Sequence, residues 1–336
     1  VEETWGRLHA FVRLEPETLQ ELLQPVFPGK RPASIELLTE GHCNTNYKIT
    51  FPDSTEAVVL RIYMRDQGAC RKNLNLFRLL YPHVPIPEVL YADPDMQRFD
   101  KPYAVLRWIE GPLLSKIQKH GTEAELAICA YAVGQTLAQI GSYRFPEAGI
   151  LGPELTVIEP FQRPDTFLTL LEEIWTDSPA VERLGSRETT WLLNFVQRNS
   201  YLLVSGSDAI PRLTHGDYKG INILVRPQNG SWQTAAVLDW EFAFADTPLF
   251  DIGNMLRYAH RLPHSFEQAF IRGYREYGGF LPPAWRIIAK LLDLLSLSQF
   301  LQRPTASAGM IAEVRELILH TLHTFDRKEE MYGTDS

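Results

Sequence analysis

Cysteine is scarce in this chain, with three in 336 residues, at positions 43, 70 and 129. An odd, scattered set without a CxxC pair argues against a disulfide framework and offers no cysteine spacing suited to zinc. Long apolar runs are also missing. No stretch reaches the ~18 residues that span a bilayer, so no membrane partner is expected. The first residues lack the basic-then-apolar pattern of a secretory leader, and a cytoplasmic location follows as the expectation. Basic residues are outnumbered, 33 against 41 acidic, for a net charge of −8. Nucleic-acid binders usually carry the opposite balance, so no nucleic-acid partner is expected either. There is no internal repeat and no low-complexity tract. What remains is an ordinary globular balance of 45% hydrophobic and 22% charged residues, in a chain long enough for two domains or one bilobal unit.

The chain divides by texture. Residues 1–30 read as a helical lead-in, with Pro16 at a first helical position ahead of TLQELL. Residues 31–109 hold short runs rich in β-branched and aromatic residues: IELL, NYKITF, EAVVLRIY, EVLYA and YAVLRWI. One helical stretch, CRKNLNLFRLL at 70–80, interrupts them. Three strands, a helix and two more strands make a compact antiparallel unit. From 110 to 330 helical periodicity dominates. A Thr-x-x-Glu capping box at Thr122–Glu125 opens one long helix. Two short strands, NILVRP and TAAVLDWE, stand within this second region.

The chemistry concentrates between those two strands. In LTHGDYKGINILV the polar Asp217 and Asn222 interrupt a strand-like apolar run. Asn229-Gly230 is a strong tight-turn signal, and a hairpin there returns Asp239 to the side of Asn222. An amide and an acid converging from two strands make a hard-oxygen site of the kind Mg²⁺ uses with nucleotide phosphates. Asp217, left off the metal, could orient or deprotonate an attacking hydroxyl. Phosphoryl transfer needs that division of labour.

The run His215-Gly216-Asp217 with Asn222, followed by Asp239-Trp240-Glu241, resembles the signature of the aminoglycoside phosphotransferase family. The likeness extends from about residue 34 to 325 and includes DTPLFDIG (246–253) and FIRGY (270–274). It implies an α+β, protein-kinase-like bilobal fold: a small antiparallel β lobe over a larger, mainly helical lobe. It also implies a small-molecule kinase that uses Mg²⁺ and ATP or GTP as phosphoryl donor. By that resemblance Asp217 is the catalytic base or hydroxyl-orienting residue, and Asn222 and Asp239 hold the metal. Lys219 matches a lysine aimed at the γ-phosphate. His215 and Asp251 are expected to brace their loops, and Glu241 to touch substrate or support the site.

At the nucleotide end, TEGHCNTNYKITF lies where this fold turns over the phosphates. Gly41 is its only glycine, so it is no GxGxxG; Asn44 and Asn46 tolerate turn geometry. Arg61 in VLRIY takes the place of the lysine that grips the α- and β-phosphates, through a planar fork rather than a point charge. The glutamate that usually partners it falls at Asn73, which could accept a hydrogen bond from Arg61 but brings no charge. The Arg107 carbonyl and the Ile109 amide would form the edge that reads the base.

Asp251 follows Asp239 by only twelve positions, too few for the peptide-docking segment of protein kinases. A small hydroxylated acceptor is therefore expected, walled by the helices of the second region. Asp293 and Gln299, with Glu173, are its candidate contacts. The family's acceptors include aminoglycosides, macrolides, choline, homoserine and sugars, and the arrangement from VLRIYMRDQGACRKN to PIPEVL resembles the hygromycin-type branch. An aminoglycoside-like antibiotic is the expected acceptor, with a housekeeping metabolite or a non-catalytic nucleotide-binding scaffold as the rivals.

Overall fold

The computed structural model describes residues 9–39, 43–52, 54, 56–162, 165–176, 178–204 and 210–332. Its first part is built around a five-stranded antiparallel sheet: β1 (Ser34–Leu38), β2 (Thr45–Thr50), β3 (Val58–Ile62), β4 (Val89–Asp93) and β5 (Tyr103–Arg107), ordered β1-β2-β3-β5-β4. The period-two alternation of strands decides what covers each face. Val58, Leu60 and Ile62 of β3 point to one side with Tyr47, Ile49, Tyr103 and Val105. Helix α1 (Pro16–Leu23) closes that side with Leu19, Leu22 and Leu23. The chain ahead of α1 is tied down as well: the Val12 amide donates to Thr45 Oγ1 and the Tyr47 hydroxyl donates to the Val12 carbonyl. Val59 and Tyr63 point the other way with Ala104 and Leu106. There α2 (Ala69–Leu80) packs with Ala69 and Cys70. Arg61 lies on this second face.

The larger part is mainly helical. The segment α3 (Leu114–His120) leads into α4 (Glu123–Ile140), and the capping box forms: the Glu125 amide donates to Thr122 Oγ1 and the Thr122 amide to Glu125. A hairpin, β6 (Gly149–Leu151) and β7 (Val157–Pro160), precedes α5 (Asp165–Trp175), α6 (Pro179–Leu184), α7 (Ser186–Asn199) and α8 (Tyr201–Val204). Then come β8 (Arg212–Thr214), β9 (Ile223–Gln228), β10 (Ser231–Val237) and β11 (Phe244–Asp246). Helices α9 (Leu249–Met255), α10 (His264–Glu276), α11 (Trp285–Gln302) and α12 (Ala308–Tyr332) complete the chain. Helices α4 and α10 pack so closely that a Cβ on Gly134 would lie 2.1 Å from the Phe270 carbonyl oxygen.

Two small sheets position the site. The β9–β10 hairpin turns through Asn229 and Gly230, both at positive φ (53° and 79°), as the sequence predicts. Its register sets Val237 opposite Ile223. A four-stranded sheet, β7-β6-β11-β8, was not anticipated from the sequence. Its strands are three or four residues long, too short for an alternation to register.

Candidate active site

Strand β8 delivers the chain to His215, which is fully buried. Asp251, in the first turn of α9, accepts the His215 amide at 2.7 Å and the Gly216 amide at 2.9 Å. The ring of His215 is held on both nitrogens. Nδ1 accepts the Asp217 amide at 3.2 Å, so the proton resides on Nε2, which donates to the Leu238 carbonyl at 2.8 Å. Burial pushes the imidazole below its ordinary pKa despite nearby Asp217, so the ring is neutral. Burial also pushes the Asp251 carboxyl up, to about 7, against the pull of its two amide donors. Gly216 turns at φ 82°, with its Cα against the Phe242 carbonyl. This turn releases Asp217 from the loop.

Asp217 keeps 24% of its side chain exposed. Its Oδ2 accepts Asn222 Nδ2 at 2.7 Å, and Lys219 Nζ stands 2.9 Å from Oδ1. Burial raises the carboxyl's pKa, but the Lys219 ammonium and the Asn222 amide outweigh it, and the net shift is downward. Asp217 is therefore an ionised carboxylate at neutral pH. Asn222 also donates to the Asp217 main-chain oxygen at 2.9 Å. With the amide nitrogen so committed, the side-chain oxygen is the end that a cation would meet.

The Asn222 carbonyl accepts the Leu238 amide at 2.8 Å, which sets Asp239 next to Asn222. Asp239 adopts left-handed backbone angles (φ 60°, ψ 59°), which Asp tolerates better than most residues. The chain leaves β10 there, and the carboxylate meets Arg61 Nη2 at 2.5 Å. Burial lowers the guanidinium's proton affinity, but Asp239 and its neighbours more than reverse that, so Arg61 is fixed as a cation. Arg61 Nε is buried with no hydrogen-bond partner among the described residues. A buried N–H left unmatched beside a cleft suits an anionic oxygen.

The expected contact between Asn73 and Arg61 does not form. Asn73 Nδ2 donates to the Tyr63 hydroxyl at 2.6 Å, and the Arg61 guanidinium lies over the Tyr63 ring at 5.3 Å. The charge partner of Arg61 is Asp239, on the other lobe. The residue beside Asn73 was missed. Lys72 is buried, and its Nζ donates to the Ala243 carbonyl at 2.5 Å and the Glu241 carbonyl at 3.3 Å. Burial pushes its pKa down to about 8, against Asp66 and Glu241. A signal was present: Lys72 shares the 72-76-80 stripe with Leu76 and Leu80, so it faces the core side of α2.

The remaining candidates scatter. Gly41 lies outside the described residues. Asn44 reaches the site: its Nδ2 donates to Glu241 at 3.3 Å and its Oδ1 accepts the Met64 amide. Burial raises the Glu241 carboxyl's pKa, partly countered by Arg61. Asn46 sits directly across from Arg61 in the β2–β3 register. The Arg107 side chain turns to Glu88 and Glu56, and its amide donates to the Glu88 carbonyl. Ile109 follows in the link between the lobes.

Asp293 is not placed as an acceptor contact. It is 2% exposed and its Oδ1 takes Arg257 at 2.7 and 2.9 Å. Arg257 also donates to Asn254, whose amide reaches the Gly216 carbonyl at 3.4 Å. Asp293 therefore braces the Asp217 loop from behind. Gln299 and Glu173 are exposed on their helices. Asp293 and Gln299, six apart on α11, cannot share one face at 3.6 residues per turn.

The cleft between a five-stranded lobe and a helical lobe, with Arg61 on one side and Asp217, Asn222 and Asp239 on the other, is the protein-kinase-like arrangement. The model of the phosphotransferase enzyme family matches residues 34–289, and the chain belongs to that family. Solved structures share the fold at low identity. Aminoglycoside phosphotransferase APH(4)-Ia, in a ternary complex with ADP and hygromycin B, is 19% identical, with a TM-score of 0.65 over 92% of this chain and 99% of that one. The GDP and kanamycin complex of APH(2″)-IIIa is 18% identical, with a TM-score of 0.69 over 93% and 100%. No curated protein matches the chain.

Proposed function

We propose that the protein transfers the terminal phosphoryl group of ATP or GTP to a hydroxyl of a small molecule, with an aminoglycoside-like antibiotic as the acceptor. The observation that carries this reading is the position of Asp217: an ionised carboxylate, oriented by Asn222 and Lys219, beside the loop that presents Asp239 to Arg61. Asp217 points the acceptor hydroxyl at the phosphorus and takes its proton as the bond forms. Arg61 binds the phosphates through its fork. Lys219 keeps Asp217 ionised and is near enough to follow the charge as it moves. Asn44, through Glu241, ties the turn over the phosphates to the loop below. Arg107 and Ile109 present their main chain to the base.

The donor set fits a magnesium ion. Asn222 and Asp239 offer two hard oxygens on neighbouring strand ends. Among the described residues there is no cluster of three or more His, Cys, Asp or Glu that would hold a different metal. Magnesium commonly takes one or two protein ligands and completes its shell with substrate phosphates and water. When bound, it would offset the charge on those phosphates.

The segment after Asp239 supports a small acceptor. It runs as a single tight turn (Trp240–Phe242), the three-residue β11 and then α9, which leaves no platform for a peptide. Hygromycin B and kanamycin in the solved relatives favour the antibiotic class. The test is transfer of label from γ-labelled ATP and GTP to a panel of aminoglycosides, macrolides, choline, homoserine and sugars. Label on an aminoglycoside supports the proposal. Label on choline, homoserine or a sugar moves the enzyme to metabolism. Nucleotide binding with no transfer to any acceptor makes the protein a scaffold.

A further inference from the structure

Lys72 is not part of the signature that carries the family resemblance, yet it joins α2 to the loop that follows Asp239. Its ammonium donates to main-chain oxygens there, those of Glu241 and Ala243. Main-chain acceptors hold the path of a loop whatever its side chains are. The next residue, Asn73, holds Tyr63, over whose ring the Arg61 guanidinium lies. Two adjacent residues of one helix thus grip both ends of the Arg61–Asp239 pair, one from the small-lobe sheet and one from the large-lobe loop. In the sequence pattern α2 lacks the acid that would engage Arg61. A buried cation one residue earlier makes its link to the loop instead.

We propose that Lys72 is a positioning residue of the donor site: it fixes the main chain at 241–243 and thereby the place of the Asp239 carboxylate. This rests on the phosphotransferase reading, since it assigns Asp239 to the donor phosphates. A cavity of about 210 Å³ lies alongside, lined by Lys72, Arg65, Asp66, Glu241, Phe242 and the β6–β7 hairpin. The loop has space to move into once the ammonium is lost. Release of Lys72 should therefore loosen the loop without unpacking the α2 core at Leu76 and Leu80.

The experiment compares the wild-type protein with Lys72→Met and Lys72→Arg. One readout needs neither activity nor ligand: amide hydrogen exchange over 240–246 in the metal-free protein. The other is nucleotide affinity by calorimetry, with and without Mg²⁺. Lys72→Met should speed exchange of 240–246 by about tenfold or more, the loss of a charge-assisted hydrogen bond, with α4 and α10 unchanged. It should also weaken Mg²⁺-dependent nucleotide binding by about tenfold while affinity without Mg²⁺ holds. Lys72→Arg, which keeps charge and donors, should recover most of both. Should Lys72→Met not fold, Lys72→Gln replaces it, and its single donor amide predicts partial loosening. Wild-type exchange at 240–246 in a folded Met or Gln variant overturns the proposal. Wild-type protein that binds no nucleotide overturns the phosphotransferase reading instead, and the exchange data still judge Lys72.

Discussion

Arg61 on β3 and Asp239 at the end of β10 meet at 2.5 Å, in an ion pair that joins the small lobe to the large at the site. The arginine side chain is 10% exposed and the aspartate 40%. Removing the aspartate strands a nearly buried guanidinium whose Nε already lacks a partner among the described residues.

Asp239→Ala is therefore expected to act twice. Stability should fall by about 1–3 kcal/mol, below the range for a fully buried pair because Asp239 is partly solvated. Mg²⁺-dependent nucleotide binding should disappear. Thermal unfolding and calorimetry on the same variant check both. Unchanged nucleotide affinity in the presence of Mg²⁺ would remove Asp239 from the donor site.

Gly216→Ala tests the turn that presents Asp217. A Cβ there would stand 2.4 Å from the Phe242 carbonyl oxygen, at a φ of 82° that side chains rarely adopt. Main-chain oxygen cannot step aside as a flexible side chain can. A loss of about 2 kcal/mol or more in unfolding free energy is expected, together with lower turnover. Denaturant titration measures the first.

The buried His215 gives a pH signature. Its folded pKa lies below the unfolded value near 6.5. At this site the unfolded chain thus binds more protons below about 6.5, and the His215 contribution to stability falls as the solution is acidified, opposed in the same window by Asp251, whose carboxyl is raised to about 7 in the fold. Protonation would also place a proton on Nδ1, which accepts the Asp217 amide. His215→Gln should flatten this part of the stability profile, measured by urea unfolding between pH 5 and 7. A wild-type slope retained by the variant would place the proton elsewhere.

The Arg257–Asp293 pair separates bracing from acceptor binding. Both residues are nearly fully buried. Arg257→Met leaves the Asp293 charge without its main partner, and a loss of about 3–5 kcal/mol is expected. Asp293→Asn, if folded, should lower kcat through the Asn254–Gly216 link with little change in acceptor KM. A rise in acceptor KM alone would return Asp293 to the acceptor wall.

The strands of the small lobe, α2, the capping box and the Asn229-Gly230 hairpin were all legible, because each has a local pattern of adequate length. The grouping of Asp217, Asn222 and Asp239 was legible because one short hairpin brings them together. What escaped depends on contacts distant in sequence. Arg61 finds its charge on Asp239, 178 positions away, rather than on α2. Asp293 reads as a helix-surface acid until Arg257 folds onto it. The short strands around β11 exist only because β6 and β8 pair with it. Lys72 could have been found, since a lysine on an apolar stripe must end on something.

The most direct measurement is turnover of Asp217→Asn against wild type, with nucleotide affinity measured in parallel. The substitution keeps shape and removes the charge that steers the hydroxyl. A fall of about 10²–10⁴ in kcat with nucleotide binding intact is the predicted result. Wild-type turnover in the folded variant would contradict the role given to Asp217 and the mechanism built on it.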